Sequence, residues 1–373
     1  MRVLVSGGGS GGHIYPALAI ASRLSAIDPT TKILYVGTDH GLERDLVAHA
    51  HIAFEAIHAR GLLVKGISGK AAGALTAVQG LIEAVNIVRK FNPDVVVGTG
   101  GYVSGPVGLA ANFLRVPLII QEQNAWPGLT NRSLAKRARA VFVPFEEATQ
   151  YFPKGSRVVL AGNPVEPPLP MDQKTAREKL GLDPAVRLMM ATGGSQGAEA
   201  VNALMIDLLP EVLRDRHLGM IWATGKRYYE SVMALVQRKF GTAVDPNRTR
   251  IVEYFYEITT VYRAADLFVG RAGAMTLTDC LAFGLPMVLI PSPHVSEDHQ
   301  TKNAKAVVGR GAGMLLPESD LPRRRHEVLA LLNDPKRLAE MGQQAADWFD
   351  GTALERIVQT VYEAGGNSQG VRR

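Results

Sequence analysis

The stretch GGGSGGHIYPALAIA, Gly7–Ala21, stands directly behind the apolar run Val3-Leu4-Val5. Five glycines and a serine in six positions support neither a strand nor a helix, so the chain turns there, and the alanine-rich run beyond reads as a helix. Strand, glycine turn and helix together open a parallel α/β unit. The order Gly7-x-Gly9-x-x-Gly12 also matches a dinucleotide-binding loop literally, in which free backbone N–H groups and the helix start favour an anion. A tight turn whose glycines serve only packing has the same pattern. The dinucleotide reading further asks for an acid ending the second strand, and Asp39 stands there.

Outward from this stretch, short β-rich runs alternate with helical ones: Arg2–Ser6, Lys32–Val36, Val95–Gly98, Pro117–Ile120 and Ala140–Val143. Continuous Val, Ile and Leu runs between helices predict parallel strands covered on both faces. The alternation restarts at Arg187–Ala191 and runs through Met220–Ala223, Ile251–Val252, Leu267–Val269 and Met287–Ile290. A weak internal repeat supports two units, since VLVSGGGSGGHIYPALAIA is answered by LMMATGGSQGAEAVNALM, and VVVGTGGYVSGPVGLAANFLRVPLII by LFVGRAGAMTLTDCLAFGLPMVLI. Between them AGNPVEPPLPMDQ holds four prolines in the seven residues Pro164–Pro170 and marks a linker. The expected fold class is therefore α/β, two Rossmann-like doubly wound parallel-sheet domains facing a cleft. The boundaries are 1–163 and 164–349, with a C-terminal helix at about 350–373 crossing back to the first.

A chain of 373 residues exceeds one core of ordinary size. Its 46% hydrophobic and 20% charged content are globular values. The single cysteine, Cys280, is expected in the core of a protein in a reducing compartment. Neither a signal peptide nor a membrane span is expected, because the weakly polar stretch Ala71–Val88 is interrupted by Thr76, Gln79, Glu83 and Asn86. A net charge of +6 favours anionic partners weakly. The 21 Tyr and Phe do not cluster into a basic aromatic surface, so nucleic acid is not an expected partner.

Two more glycine turns repeat the first. Gly193-Gly194-Ser195-Gln196-Gly197-Ala198 has the same layout in the second half and adds a hydroxyl, and Gly98-Thr99-Gly100-Gly101-Tyr102 adds a third turn. A glycine loop in each half suits transfer between two phosphorylated substrates better than one hydride cofactor. His13, where the first loop becomes helix, is a candidate general base, because imidazole changes charge near neutral pH. Asp298-His299-Gln300 lacks further His or Cys at ligand spacing and reads as polar substrate contacts rather than a metal site. No Asp-x-Asp pair is present, so the usual carboxylate clamp for nucleotide-bound Mg²⁺ is missing and no cofactor or metal is expected.

Taken in order, GGGSGGHIYPALAIA, GTGGYVSGP, QEQNAWPGLTNR, AGNPV, GGSQGA, RAGAMTLTD and DHQTKNA span essentially the whole chain and resemble the MurG family of bacterial glycosyltransferases. The resemblance implies a GT-B fold and an inverting transferase of peptidoglycan biosynthesis. It would move GlcNAc from UDP-GlcNAc to the C4 hydroxyl of undecaprenyl-pyrophosphoryl-MurNAc-pentapeptide, forming a β-1,4 linkage. The donor would sit mainly on the C-terminal domain and the lipid acceptor on the N-terminal one. In family terms Ser10, Gly11 and Gly12 lie on the sugar-nucleotide and acceptor side, Asn124 contacts the donor sugar, and Ser195 contacts phosphate. Tyr256 falls at the uracil turn, Ala274, Met275, Thr276, Leu277, Thr278 and Asp279 line the nucleotide, and Gln300 meets the GlcNAc hydroxyls. Gly100, Gly101 and Tyr102 form an acceptor or diphosphate loop. His13 is the expected base and Glu122 the lesser candidate, with helix starts behind Ser195 and Ala274 stabilising the leaving diphosphate.

Two departures stand out. Glu166 occupies the place where many family members have a phosphate-pairing Arg, leaving Arg271 as a substitute cation. Asp279 replaces a Glu that accepts from the ribose hydroxyls. The lipid acceptor implies peripheral attachment to an anionic membrane surface on the cytoplasmic side of the plasma membrane, with other cell-wall synthesis proteins as further partners. Ala71, Leu75, Val78, Leu81, Val85 and Val88 recur at helical spacing near Lys65, Lys70, Arg89 and Lys90, and Arg132, Lys136, Arg137 and Arg139 form a second basic cluster. Such a stripe equally serves a domain core. Other readings are a nicotinamide oxidoreductase, a same-fold UDP-GlcNAc epimerase, and a non-catalytic nucleotide-sugar sensor or scaffold.

Overall fold

The computed structural model describes residues 1–39, 43–59 and 67–371, with the side chains of 67–75, Ser296 and 367–371 outside that description. Two compact units result, Met1–Glu166 with Asp350–Arg373, and Pro167–Phe349. The change of unit thus falls at Glu166, three residues past Asn163.

The first unit has seven parallel strands: β1 (Arg2–Gly7), β2 (Lys32–Gly37), β3 (Ala53–Ala56), β4 (Val95–Gly100), β5 (Leu118–Gln121), β6 (Ala140–Val143) and β7 (Val158–Leu160). Their order is β3-β2-β1-β4-β5-β6-β7, and Leu4 is in register with Leu34 on one side and Val96 on the other. Val3, Val5, Val95 and Val97 pack against Ile20 and Leu24 of helix Gly11–Ile27 and against Leu354, Ile357, Val358 and Val361 of helix Ala353–Val371. The final helix is therefore part of this core. Its apolar positions recur at three and four residues, which puts one face on the sheet.

The second unit has six parallel strands: β8 (Arg187–Thr192), β9 (Leu218–Ala223), β10 (Thr249–Val252), β11 (Leu267–Gly270), β12 (Met287–Leu289) and β13 (Gly313–Leu315). Their order is β10-β9-β8-β11-β12-β13. Met189, Met220 and Leu267 face Leu204 and Leu208 of helix Glu199–Arg214, while Met190, Phe268 and Met287 face Leu277 and Cys280. Cys280 is fully buried.

Three strands escaped the sequence reading: Ala53–Ala56, Val158–Leu160 and Gly313–Leu315. Each is three or four residues long and lies at the edge of its sheet, where one neighbour suffices and no long apolar run is needed. In each sheet the strand order reverses once, between β1 and β4 and between β8 and β11. The loops leaving the carboxyl ends of those strands diverge there and open a crevice.

Candidate functional site

At the β1/β4 switch point the two glycine turns of the first unit pack on each other. Gly8 N–H donates to Gly100 O over 3.4 Å, and a Cβ on Gly101, whose φ is +79°, would lie 2.0 Å from Gly8 O. Gly9 N–H donates over 2.8 Å to Oε1 of Glu43, a carboxylate only 1% exposed that opens helix Glu43–His49. The Tyr35 hydroxyl donates to Gly7 O over 2.7 Å, and burial together with Glu43 pushes that phenol far above its ordinary range.

These contacts divide the first loop: two of its amides are used inside the protein, while those of Ser10, Gly11 and Gly12 at the helix start make no hydrogen bond among the described residues. Its Gly8 and Gly9 amides are spent inside the protein, the second of them on a buried carboxylate. Asp39 is paired with Arg44 at 2.9 Å. In the Gly98–Tyr102 turn Gly100 N–H donates to Ser104 Oγ over 3.1 Å, and Gly100 and Gly101 admit close packing. Ser10, Gly11 and Gly12 are at the exposed start of helix Gly11–Ile27, and Ser10 caps it without a side-chain bond.

His13 lies in the first turn of this helix, half-buried. Its Nδ1 is 2.8 Å from Gln123 Oε1 and 3.1 Å from Thr99 O. Nε2 makes no hydrogen bond among the described residues. A Cβ on Gly100, φ +103°, would approach the His13 ring to 3.0 Å, so glycine there admits the imidazole.

Glu122 is 1% exposed and saturated. It accepts from the backbone N–H of Gln123 and Asn124 (both 2.9 Å) and Gly128 (3.0 Å), and from the side-chain amides of Asn124 (3.1 Å) and Asn131 (2.9 Å). Five donors pin loop 122–128, which holds Asn124. Geometry thus gives Glu122 a scaffold role instead of a base's.

In the second unit the β8/β11 switch point carries the other loop. Gly194 N–H donates to Thr192 Oγ1 and Gly197 N–H to Gly194 O, while the amides of exposed Ser195 and Gln196 make no hydrogen bond among the described residues. Gly197, φ +78°, lies so near Thr224 O that a Cβ would sit 2.0 Å from it. Here, as at the helix start behind the first loop, donors remain available for an anion. Across the switch point helix Ala274–Ala282 begins behind Gly273. Tyr256 is three-quarters exposed, with its hydroxyl donating to Glu253. Gln300 Oε1 accepts from Ser292 N–H over 2.8 Å, which ties it to the loop after β12.

Both halves of the chain match known sequence families. The profile of the glycosyltransferase family 28 N-terminal domain covers residues 3–143, and that of the glycosyltransferase family 28 C-terminal domain residues 188–359. The chain belongs to glycosyltransferase family 28. Similar curated proteins include a UDP-N-acetylglucosamine–N-acetylmuramyl-(pentapeptide) pyrophosphoryl-undecaprenol N-acetylglucosamine transferase of Symbiobacterium thermophilum, 45% identical with 96% of each chain covered. A protein of the same name from Moorella thermoacetica is 41% identical, with 97% of this chain and 98% of the relative covered. The crystal structure of MurG from Acinetobacter baumannii superposes with a TM-score of 0.77 at 28% identity, covering 97% of this chain and 99% of that one. The fold is GT-B.

For this family 28 member the structure also corrects two expectations in the second unit. Leu277 is fully buried and Thr278 nearly so, because on a helix starting at Ala274 those positions turn toward the sheet; Ala274 is buried too, leaving Met275, Thr276 and Asp279 partly exposed. Arg271 is not a free cation: it pairs with Glu318 at 2.5 Å and donates to Ile290 O. Glu166 is exposed. Asp279 is half-buried, and desolvation raises its carboxyl to about 7 against an opposing hydrogen bond from Tyr262. Sequence reasoning missed Glu43, which stands in no motif, and passed over Gln123, whose neighbours Glu122 and Asn124 carry the more reactive or family-matched groups.

Proposed function

We propose that this family 28 transferase moves N-acetylglucosamine from UDP-N-acetylglucosamine to the C4 hydroxyl of undecaprenyl-pyrophosphoryl-MurNAc-pentapeptide, with inversion. The observation that carries the reading is relatedness at 41 to 45% identity over nearly the whole chain to proteins bearing that transferase name. Inverting displacement requires a base for the acceptor hydroxyl and donors for the leaving diphosphate. His13 Nε2 supplies the first. The open amides of Ser195 and Gln196, the Ser195 hydroxyl and the start of helix Ala274–Ala282 supply the second, with no protein-held metal in the scheme. Asn124 and Gln300 meet the sugar, Tyr256 the uracil, and Asp279 the ribose. Ser10, Gly11, Gly12 and Tyr102 border the acceptor.

The lipid tail of that acceptor requires approach to a bilayer, and no described helix is long and apolar enough to cross one. The expected stripe on helix Ile67–Phe91 divides. Val88 is in the core, Leu81 and Val85 are half-buried, and Val78 is more than half exposed; outside the stripe, Ile82 is exposed to the same degree, as is Phe113 on the neighbouring helix Gly101–Phe113. Lys65 and the side chains of Lys70, Ala71 and Leu75 lie outside the described residues. Exposed Arg89, Lys90, Lys136, Arg137 and Arg139 belong to the same unit and suit the anionic cytoplasmic leaflet, where other cell-wall synthesis proteins would be partners.

The test is product analysis with UDP-N-acetylglucosamine and a short-prenyl acceptor. Expected is UDP release that depends on acceptor and yields a disaccharide-linked lipid. UDP release without acceptor and with an epimerised sugar would mean an epimerase, and saturable NADH binding without UDP-N-acetylglucosamine binding would mean an oxidoreductase.

A further inference from the structure

The His13 ring is reached by a chain of three buried amides, and that chain determines where its proton sits. Asn163, beside the proline-rich linker, donates through Nδ2 to Gln123 O over 3.3 Å, which leaves its Oδ1 as acceptor. Gln121 Nε2 donates to that Oδ1 over 2.8 Å and to Glu122 O over 2.9 Å. Gln121 Oε1 is therefore turned toward Gln123. The Nε2 of Gln123 faces oxygens only: Gln121 Oε1, Gln121 O at 3.0 Å and Thr99 O at 2.8 Å. A flipped Gln123 amide would bring its own oxygen against these three acceptors, so the orientation is fixed. All three amide residues are at most 1% exposed, where an unpaired acceptor costs most.

Gln123 Oε1 is consequently the atom facing His13 Nδ1 at 2.8 Å, and it can only accept. The carbonyl oxygen of Thr99, at 3.1 Å from the same nitrogen, also can only accept. Nδ1 must carry the proton. We infer that Gln123, oriented by Gln121 and Asn163, is a positioning residue that holds neutral His13 in the Nδ1–H tautomer, leaving the lone pair on Nε2. A free imidazole in water favours the other tautomer, whose Nε2–H could not take a proton from an alcohol. The hydrogen bond made by one ring nitrogen decides the role of the other. This inference rests on the proposed role of His13 as base and deepens it.

The test uses the full chain labelled with ¹⁵N, with long-range ¹H–¹⁵N correlation of the imidazoles at about pH 8, above the ordinary imidazole range. The His13 signals are assigned by their loss in His13→Gln. Expected is a protonated Nδ1 and an unprotonated Nε2; the reverse pattern overturns the inference. Gln123→Met keeps the length and removes the acceptor. It is expected to give mixed tautomers and about tenfold lower kcat, with KM for UDP-N-acetylglucosamine unchanged. Wild-type tautomer and kcat in Gln123→Met would mean that Thr99 alone sets the proton and would overturn the role of Gln123. The two failures separate cleanly: an active His13→Ala protein rejects the base while leaving the tautomer measurement intact, and an Nε2–H spectrum with inactive His13→Ala rejects only the amide chain.

Discussion

The carboxylate of Glu43 accepts a 2.8 Å hydrogen bond from the amide of Gly9. It joins a short helix to the middle of the glycine turn and spends a donor that a dinucleotide loop would give to phosphate. The first unit therefore uses its glycines to bring two turns and the His13 ring together, and the second leaves the Ser195 and Gln196 amides open at the tip of its loop. Two loops with nearly the same sequence thus differ in what holds them: one has a buried acid behind it, the other the Thr192 hydroxyl.

Replacing Glu43 by Ala removes the acceptor of a buried amide, so a loss of about 1–3 kcal/mol in stability is expected, with Glu43→Gln milder because its carbonyl still accepts. Urea denaturation followed by far-UV circular dichroism measures both. Equal midpoints for wild type and Glu43→Ala would show that the contact holds nothing.

Asp279 carries the expected pH dependence. Its carboxyl is raised by burial to about 7 in the folded chain, against an ordinary value near 4 when unfolded. The folded state thus favours the protonated acid. The associated stability is fully present below about 4 and is lost as pH rises through about 7. Asp279→Asn stays neutral throughout, so the stability difference, wild type minus variant, should become more negative between about pH 4.5 and 8 and level off above. A difference that stays flat over this range would remove the desolvated carboxyl from the account.

Val78 and Ile82 are exposed by 58% and 57% on the helix that packs beside Phe113. Val78→Asp with Ile82→Asp should leave the fold unchanged, since neither side chain is in the core, and should lower recovery with anionic vesicles in flotation at least threefold. Recovery equal to wild type, or unaffected by removing anionic lipid, would show that this face does not dock.

Much of this was legible in the chain. The alternation of apolar runs and helices gave both sheets because parallel strands buried on two faces must be apolar throughout, and the glycine turns mark the switch points because only they admit such close backbone approach. The edge strands were hidden by their shortness. The inward turn of Leu277 was readable in principle, since Ala274, Leu277, Thr278 and Leu281 recur at helical spacing, but motif matching treats a run as one surface. Glu43 and Gln123 were not readable. Their partners are a glycine amide 34 residues away and an imidazole 110 residues away, and a backbone amide leaves no mark in sequence. The pairing of Arg271 with Glu318 was out of reach for the same reason.

The decisive measurement compares His13→Ala with wild type in acceptor-dependent UDP release and in UDP-N-acetylglucosamine binding. A general base contributes about 10²–10⁴-fold, so kcat should fall by at least a hundredfold while the donor Kd stays within about threefold. If kcat/KM is instead kept within about threefold, less than 1 kcal/mol of transition-state stabilisation has been lost, and His13 is not the base.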